Sequence, residues 1–167
     1  MRVLGIDPGT FRMGYGVLEA SERDLALIEC GVLKAPSSLP LEERLQLLHS
    51  SLLEVVDQHH PDHMAVEEPF VYRNVRSAMM VGEAMAVAIL AATTRGISVS
   101  RYAPRQVKQA VTNYGGSDKE QVQEMVRLQL GLDHPPESTD ASDAVAVALC
   151  HLQRASLDKL LAGAPDG

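Results

Sequence analysis

At 167 residues, with 46% apolar and 22% charged side chains, the chain has the composition of one soluble globular domain long enough to bury a core. Its two cysteines, Cys30 and Cys150, supply neither a disulfide framework nor a zinc spacing, which points to a reducing, cytoplasmic setting. The net charge of −7 excludes a uniformly basic polyanion binder, yet residues 69–130 hold eight Lys and Arg against four Asp and Glu, and four of the six aromatics.

Residues 2–7 read as a buried strand that begins at once, so no cleavable signal is expected before the fold. Pro8-Gly9-Thr10 is a turn, and Gly14–Leu18 and Leu25–Leu33 complete an antiparallel meander. Pro40–His59 is an amphipathic helix with Leu41, Leu45, Leu48, Leu52, Val55 and Val56 on one face, stopped by Pro61. A short strand, Met64–Glu67, precedes a helix at Ser77–Arg95, and Ile97–Tyr102 is the fifth strand. The apolar run Ala84–Ala92 is too short to cross a bilayer. Helices follow at Arg105–Asn113, Lys119–Leu130 and Asp140–Ser156, with Ser117 and Glu120 at capping-box spacing before the second. This order predicts an α/β fold, a mixed five-stranded sheet with helices on both faces, in one domain over residues 1–157. Residues 158–167 are expected to be a flexible tail.

The chemistry lies in carboxylates. Asp7 ends a strand that is apolar on both faces, where an unpaired charge is costly. Glu67 ends the Met64–Glu67 strand in the same way, and Glu68 beside it falls on the opposite face. Asp140 and Asp143 lie one turn apart on a helix whose apolar residues, from Ala144 to Leu149, pack it on the sheet. Each acid has an ordinary explanation by itself, as a turn residue or a favourable charge at a helix N-terminus. Together they would raise one another's pKa, a conflict that hard divalent cations such as Mg²⁺ or Mn²⁺ resolve. Two ions roughly 3.5–4 Å apart suit phosphodiester hydrolysis, which needs no Ser, Cys or His nucleophile.

Gly5-Ile6-Asp7-Pro8-Gly9 followed by Gly14-Tyr15-Gly16-Val17 resembles the opening of the RuvC Holliday-junction resolvases. The resemblance continues in order through Ala65-Val66-Glu67 with Phe70, Ala103-Pro104-Arg105-Gln106-Val107-Lys108, Lys119, Met125-Val126-Arg127, and Asp140-Ala141-Ser142-Asp143-Ala144. It spans residues 2–152 and implies a ribonuclease H-like fold. It further implies a homodimer that nicks opposed strands of four-way junction DNA and leaves 5'-phosphate and 3'-hydroxyl ends. By position, it makes Asp7, Glu67, Asp140 and Asp143 the ligands of two Mg²⁺ or Mn²⁺ ions. It makes Phe70 the aromatic that enters the junction, and Lys108 and Lys119 phosphate contacts. Arg73, Arg76 and Arg105 join the expected DNA face, and the branch-migration complex RuvA–RuvB is the implied partner.

The Ser77–Arg95 helix is apolar nearly all round and is read as part of the dimer contact. His59, His60 and His63 sit at a helix end without a fourth ligand and read as ordinary positions. Gly-Ile-Asp at a first strand also resembles the phosphate loop of the sugar-kinase, actin and Hsp70 superfamily, but no second copy of the motif is present. A ribonuclease H acting on RNA–DNA hybrid shares the fold and the acids without needing a dimer. A non-catalytic junction scaffold would not need the full acidic set.

Overall fold

The central strand, β1 (Arg2–Asp7), has no polar residue between Arg2 and Asp7, and Val3, Leu4 and Ile6 are fully buried. It pairs antiparallel with β2 (Arg12–Ala20), which pairs antiparallel with β3 (Leu25–Lys34). On its other side β1 runs parallel to β4 (His63–Glu67), and β4 parallel to β5 (Ser98–Tyr102). The sheet order is therefore β3-β2-β1-β4-β5. The computed structural model describes residues 1–21, 24–69 and 75–162.

Alternation along the strands sorts the core into two layers. Leu4, Ile6, Val17, Met64 and Val66 face α1 (Leu41–His59) and α2 (Val75–Thr93). Val3, Leu18 and Ala65 face α3 (Pro104–Thr112), α4 (Lys119–Gln129) and α5 (Thr139–Ala162). The mixed sheet with helices on both faces is the ribonuclease H-like arrangement expected from the sequence.

Several local expectations shift, among them α2, which runs two residues earlier than expected at both ends. The cap of α4 is Asp118, whose carboxylate accepts from the Gln121 N–H at 2.8 Å, one residue beyond the expected Ser117–Glu120 box. Ser117 is buried instead, its hydroxyl bonding Thr112 Oγ1 at 2.6 Å and donating to the Tyr114 carbonyl. Helix α3 begins one residue early because Pro104, with its fixed φ, opens its first turn. Helix α5 continues to Ala162, so residues 158–162 of the expected tail are helical. Its buried face ends at Leu152, while Leu157, Leu160 and Leu161 keep the helical spacing but stay exposed.

Helix α2 differs from its reading in another respect. Glu83 confines the apolar run to nine residues, yet the 19-residue helix is long and apolar enough, at a mean hydropathy of 1.6, to cross a membrane by length and composition. Ala84, Ala88, Ala91 and Ala92 are buried against the core, which ties the helix to this domain. Only 28% of its apolar window is covered, so Val75, Met79 and Leu90 remain exposed.

Candidate active site

Three glycines set how closely α5 approaches the sheet. A Cβ on Gly5 would run into the Ala144 carbonyl and Ala148, one on Gly14 into the Asp140 carbonyl, and one on Gly16 into Val145. With only hydrogen at these places, α5 lies directly on β1 and β2. Its first turn, carrying Asp140 and Asp143, is thereby held at the strand end where Asp7 sits opposite Gly14.

The strand acids turn to the same side. Asp7 shares a face of β1 with Val3 and Gly5, and Glu67 shares a face of β4 with Ala65, the side on which α5 packs. Glu68, one residue past the strand, also lines the cleft but lies 4.0 Å from Arg101. Strand alternation therefore favours Glu67 over its neighbour. The cleft, about 500 Å³, is lined by Asp7, Glu67, Asp143, Lys108 and Lys119, with Val107 and Val122 among its apolar walls. Asp140 stands beside it, bound by Arg12 Nε at 2.6 Å.

The electrostatics are those of crowded acids short of positive charge. Burial, then repulsion from Glu67, Asp143 and Asp140, pushes Asp7 up to about 8. Burial and Asp143 push Glu67 up to about 7, opposed by Lys119, Lys108 and a hydrogen bond to Asp7. Lys119 Nζ lies 3.0 Å from Asp143 Oδ2, a bond that raises the lysine above its ordinary range. Among the described residues no three acid, histidine or cysteine side chains stand at metal-ligand spacing as they are. Arg12 and Lys119 hold Asp140 and Asp143 instead. The donor set nevertheless fits a hard divalent ion: oxygen ligands only, in a cleft that drives two of them toward protonation and draws cations to the other two.

A stability consequence follows from the sign of these shifts. The folded protein holds protons on Asp7 and Glu67 at pH values where the unfolded chain has released them, so stability falls as pH rises through this window. In EDTA, melting temperature should fall between about pH 4 and pH 8, and stabilisation by Mg²⁺ should be larger near pH 8 than near pH 5. A flat EDTA profile, measured by calorimetry, would show that burial and crowding do not hold protons on these acids.

The expected DNA-contacting residues divide. Lys108 lines the cleft and donates to the Ser117 carbonyl at 2.6 Å, and Lys119 lines it beside Asp143. Arg76 is exposed in the first turn of α2, next to Ser77 on the cleft wall. Arg105 is exposed on another face of α3, in a separate groove with Tyr102, Gln109 and Arg154. Phe70 and Arg73 lie outside the described residues. The histidines do not assemble: His59 binds Glu29 at 3.0 Å, His60 is the left-handed cap of α1, and His63 stacks on His151. Arg12 is not singled out by the sequence, although the β1–β2 hairpin register brings the start of β2 to the acidic end of the sheet.

A ribonuclease H-like sheet with acids gathered at the ends of its central strands defines a nuclease of that class. The family described as crossover junction endodeoxyribonuclease RuvC matches residues 3–151. Members from Dehalococcoides mccartyi and a Roseiflexus species are 48% and 49% identical, over 90% of this chain and 92% of the first protein and 93% of both chains for the second. The structure of T. thermophilus RuvC in complex with Holliday junction substrate superposes with a TM-score of 0.88 at 38% identity, covering 95% of this chain and 96% of that one. The chain belongs to the RuvC family.

Proposed function

We propose that this chain is a Holliday-junction resolvase acting as a homodimer, with one acidic centre per protomer. The observation that carries the reading is the convergence of Asp7, Glu67, Asp140 and Asp143 beside Lys108 and Lys119 at one end of the sheet. The complex of the T. thermophilus relative with a Holliday junction supports the choice of substrate. A comparison of a four-way junction with an RNA–DNA hybrid tests it: the junction should be cut and the hybrid left intact. Preferential cutting of the hybrid would make this a ribonuclease H.

Divalent-metal dependence is general to the family. We assign Mg²⁺ or Mn²⁺, two ions per centre, to the four carboxylates. Asp7, Glu67, Asp140 and Asp143 would hold such ions, whose chemistry would be to activate a water and stabilise the leaving 3'-oxygen, in keeping with 5'-phosphate and 3'-hydroxyl ends. The protein's part is to fix Asp7 and Glu67 on adjacent strands, and Asp140 and Asp143 on a helix that the glycines keep in place. Lys119, reaching to Asp143, lies where it can offset charge developing on the cut phosphate. Lys108 holds an adjacent phosphate. Phe70, with Arg73 and Arg76, is assigned to the strand-opening element, and Arg105 to a junction arm.

Lys108→Ala and Lys119→Ala should each flatten the log–log salt dependence of junction binding, by about 0.9 for every phosphate the variant no longer neutralises. Unchanged slopes with normal cleavage in both variants would remove these lysines from the DNA face.

The uncovered face of α2 is assigned to the dimer, since paired nicks need two centres related by a twofold axis. Ile89→Glu places a charge on the half-buried side of this helix and should convert a micromolar dimer into monomers. Sedimentation showing wild-type monomer at that concentration would contradict the assignment. The setting is the cytoplasm, and a RuvA–RuvB branch-migration complex is the partner that delivers the junction.

A further inference from the structure

The tip of the β1–β2 hairpin carries an aromatic that no part of the acidic centre uses. Phe11 is 44% exposed, while the guanidinium carbon of Arg44 lies 3.8 Å from its ring centroid on the inner face. Arg44 is only 6% exposed, and its guanidinium reaches only neutral oxygens of Thr10, at 3.4 and 3.5 Å. Its Nε has no hydrogen-bond partner, and among the described residues no carboxylate lies within ion-pair distance of it. A buried, unneutralised guanidinium is costly unless an anion approaches nearby. The outer side of Phe11 opens into a shallow cleft of about 480 Å³, shared with Arg12, Lys34, Ala35 and Pro36. Arg12 and Lys34 face each other across the β2–β3 pair, and Arg12 also binds Asp140. Arg12 thus links this positively charged cleft to Asp140 of the acidic set.

We infer that the Phe11–Arg12–Lys34 cleft is a second binding site for junction DNA, which stacks one base on Phe11 and holds the adjoining phosphates with Arg12 and Lys34. An aromatic face edged by cations is the arrangement that binds single-stranded nucleic acid without reading its sequence. The Arg44 contact holds the ring in place before DNA arrives, so little side-chain entropy is lost on stacking. The Phe11 carbonyl, accepting from the Ala35 N–H at 2.9 Å, ties the hairpin tip to the end of β3. The inference rests on the resolvase reading.

The chain contains no tryptophan, so Phe11→Trp installs a single fluorophore at the site. In a cleavage-silent Glu67→Gln background with Mg²⁺, its emission should be quenched saturably by a four-way junction and recover when high salt releases the DNA. Phe11→Ala, otherwise wild type, should melt as wild type and bind the junction roughly 5- to 150-fold more weakly, which corresponds to the roughly 1–3 kcal/mol of one stacked base. Lys34→Ala should lower the salt slope by about 0.9. Unquenched indole emission from the Phe11→Trp protein at saturating junction, or Phe11→Ala binding as tightly as wild type, would overturn the inference. Wild-type cleavage of the junction in the same experiment keeps this failure distinct from failure of the resolvase reading.

Discussion

Asp7→Asn, Glu67→Gln and Asp143→Asn should each abolish junction cleavage while leaving junction binding within a few-fold of wild type. Each replacement keeps the side-chain shape and removes an acid from the cleft proposed to hold cations. Losing a mere support to a metal ligand typically costs 10–100-fold, so loss of a ligand should exceed that range. Because burial and then mutual repulsion penalise the charged acids when no ion is present, Asp7→Asn and Glu67→Gln should also raise the melting temperature in EDTA at about pH 8. Gain of stability with loss of activity separates a catalytic acid from a structural one. Glu68→Gln, one residue past the strand and near Arg101, should remain active. An inactive Glu68→Gln beside an active Glu67→Gln would reverse the assignment.

Gly5→Ala should be nearly as damaging by a different route. The new methyl meets the backbone of α5 at Ala144 and Ala148 rather than a movable side-chain tip, so the helix must lift from the sheet. Overpacking of this kind costs roughly 1–3 kcal/mol, or about 2–4 °C of melting temperature per kcal/mol for a domain of this size. The larger effect is on rate, because lifting α5 carries Asp140 and Asp143 away from Asp7 and Glu67. Misplacement by about 1 Å can cost roughly a hundredfold. Cleavage should therefore fall about a hundredfold well below the melting temperature. A Gly5→Ala protein that melts lower yet cuts normally would show that the helix position is not what assembles the site.

Much of the arrangement is legible in the sequence because the residues that shape it are extreme. An uninterrupted apolar strand ending in Asp7 can only be central, and two acids one turn apart on an otherwise apolar helix face its packing partner. The glycines carry a second message: Gly5, Gly14 and Gly16 belong to the motif because a helix backbone occupies the space of their side chains. What is not legible is set by contacts between distant segments. Arg12 meets Asp140 across 128 residues and Arg44 meets Phe11 across the β2–β3 hairpin, and no local spacing announces either. The last turns of α5 bury nothing, although Leu157, Leu160 and Leu161 recur there at helical spacing. One side of α2 is the opposite case, being apolar where little of the described chain covers it.

The central claim is best tested by incubating a synthetic four-way junction and a linear duplex of the same arm sequence with the purified protein, with Mg²⁺ or Mn²⁺ and with EDTA. Strand-resolved gels should show metal-dependent nicks on two opposed junction strands at matching positions, with the duplex and the EDTA lanes intact. Equal cutting of duplex and junction, or cutting that persists in EDTA, would contradict a metal-dependent resolvase built on Asp7, Glu67, Asp140 and Asp143.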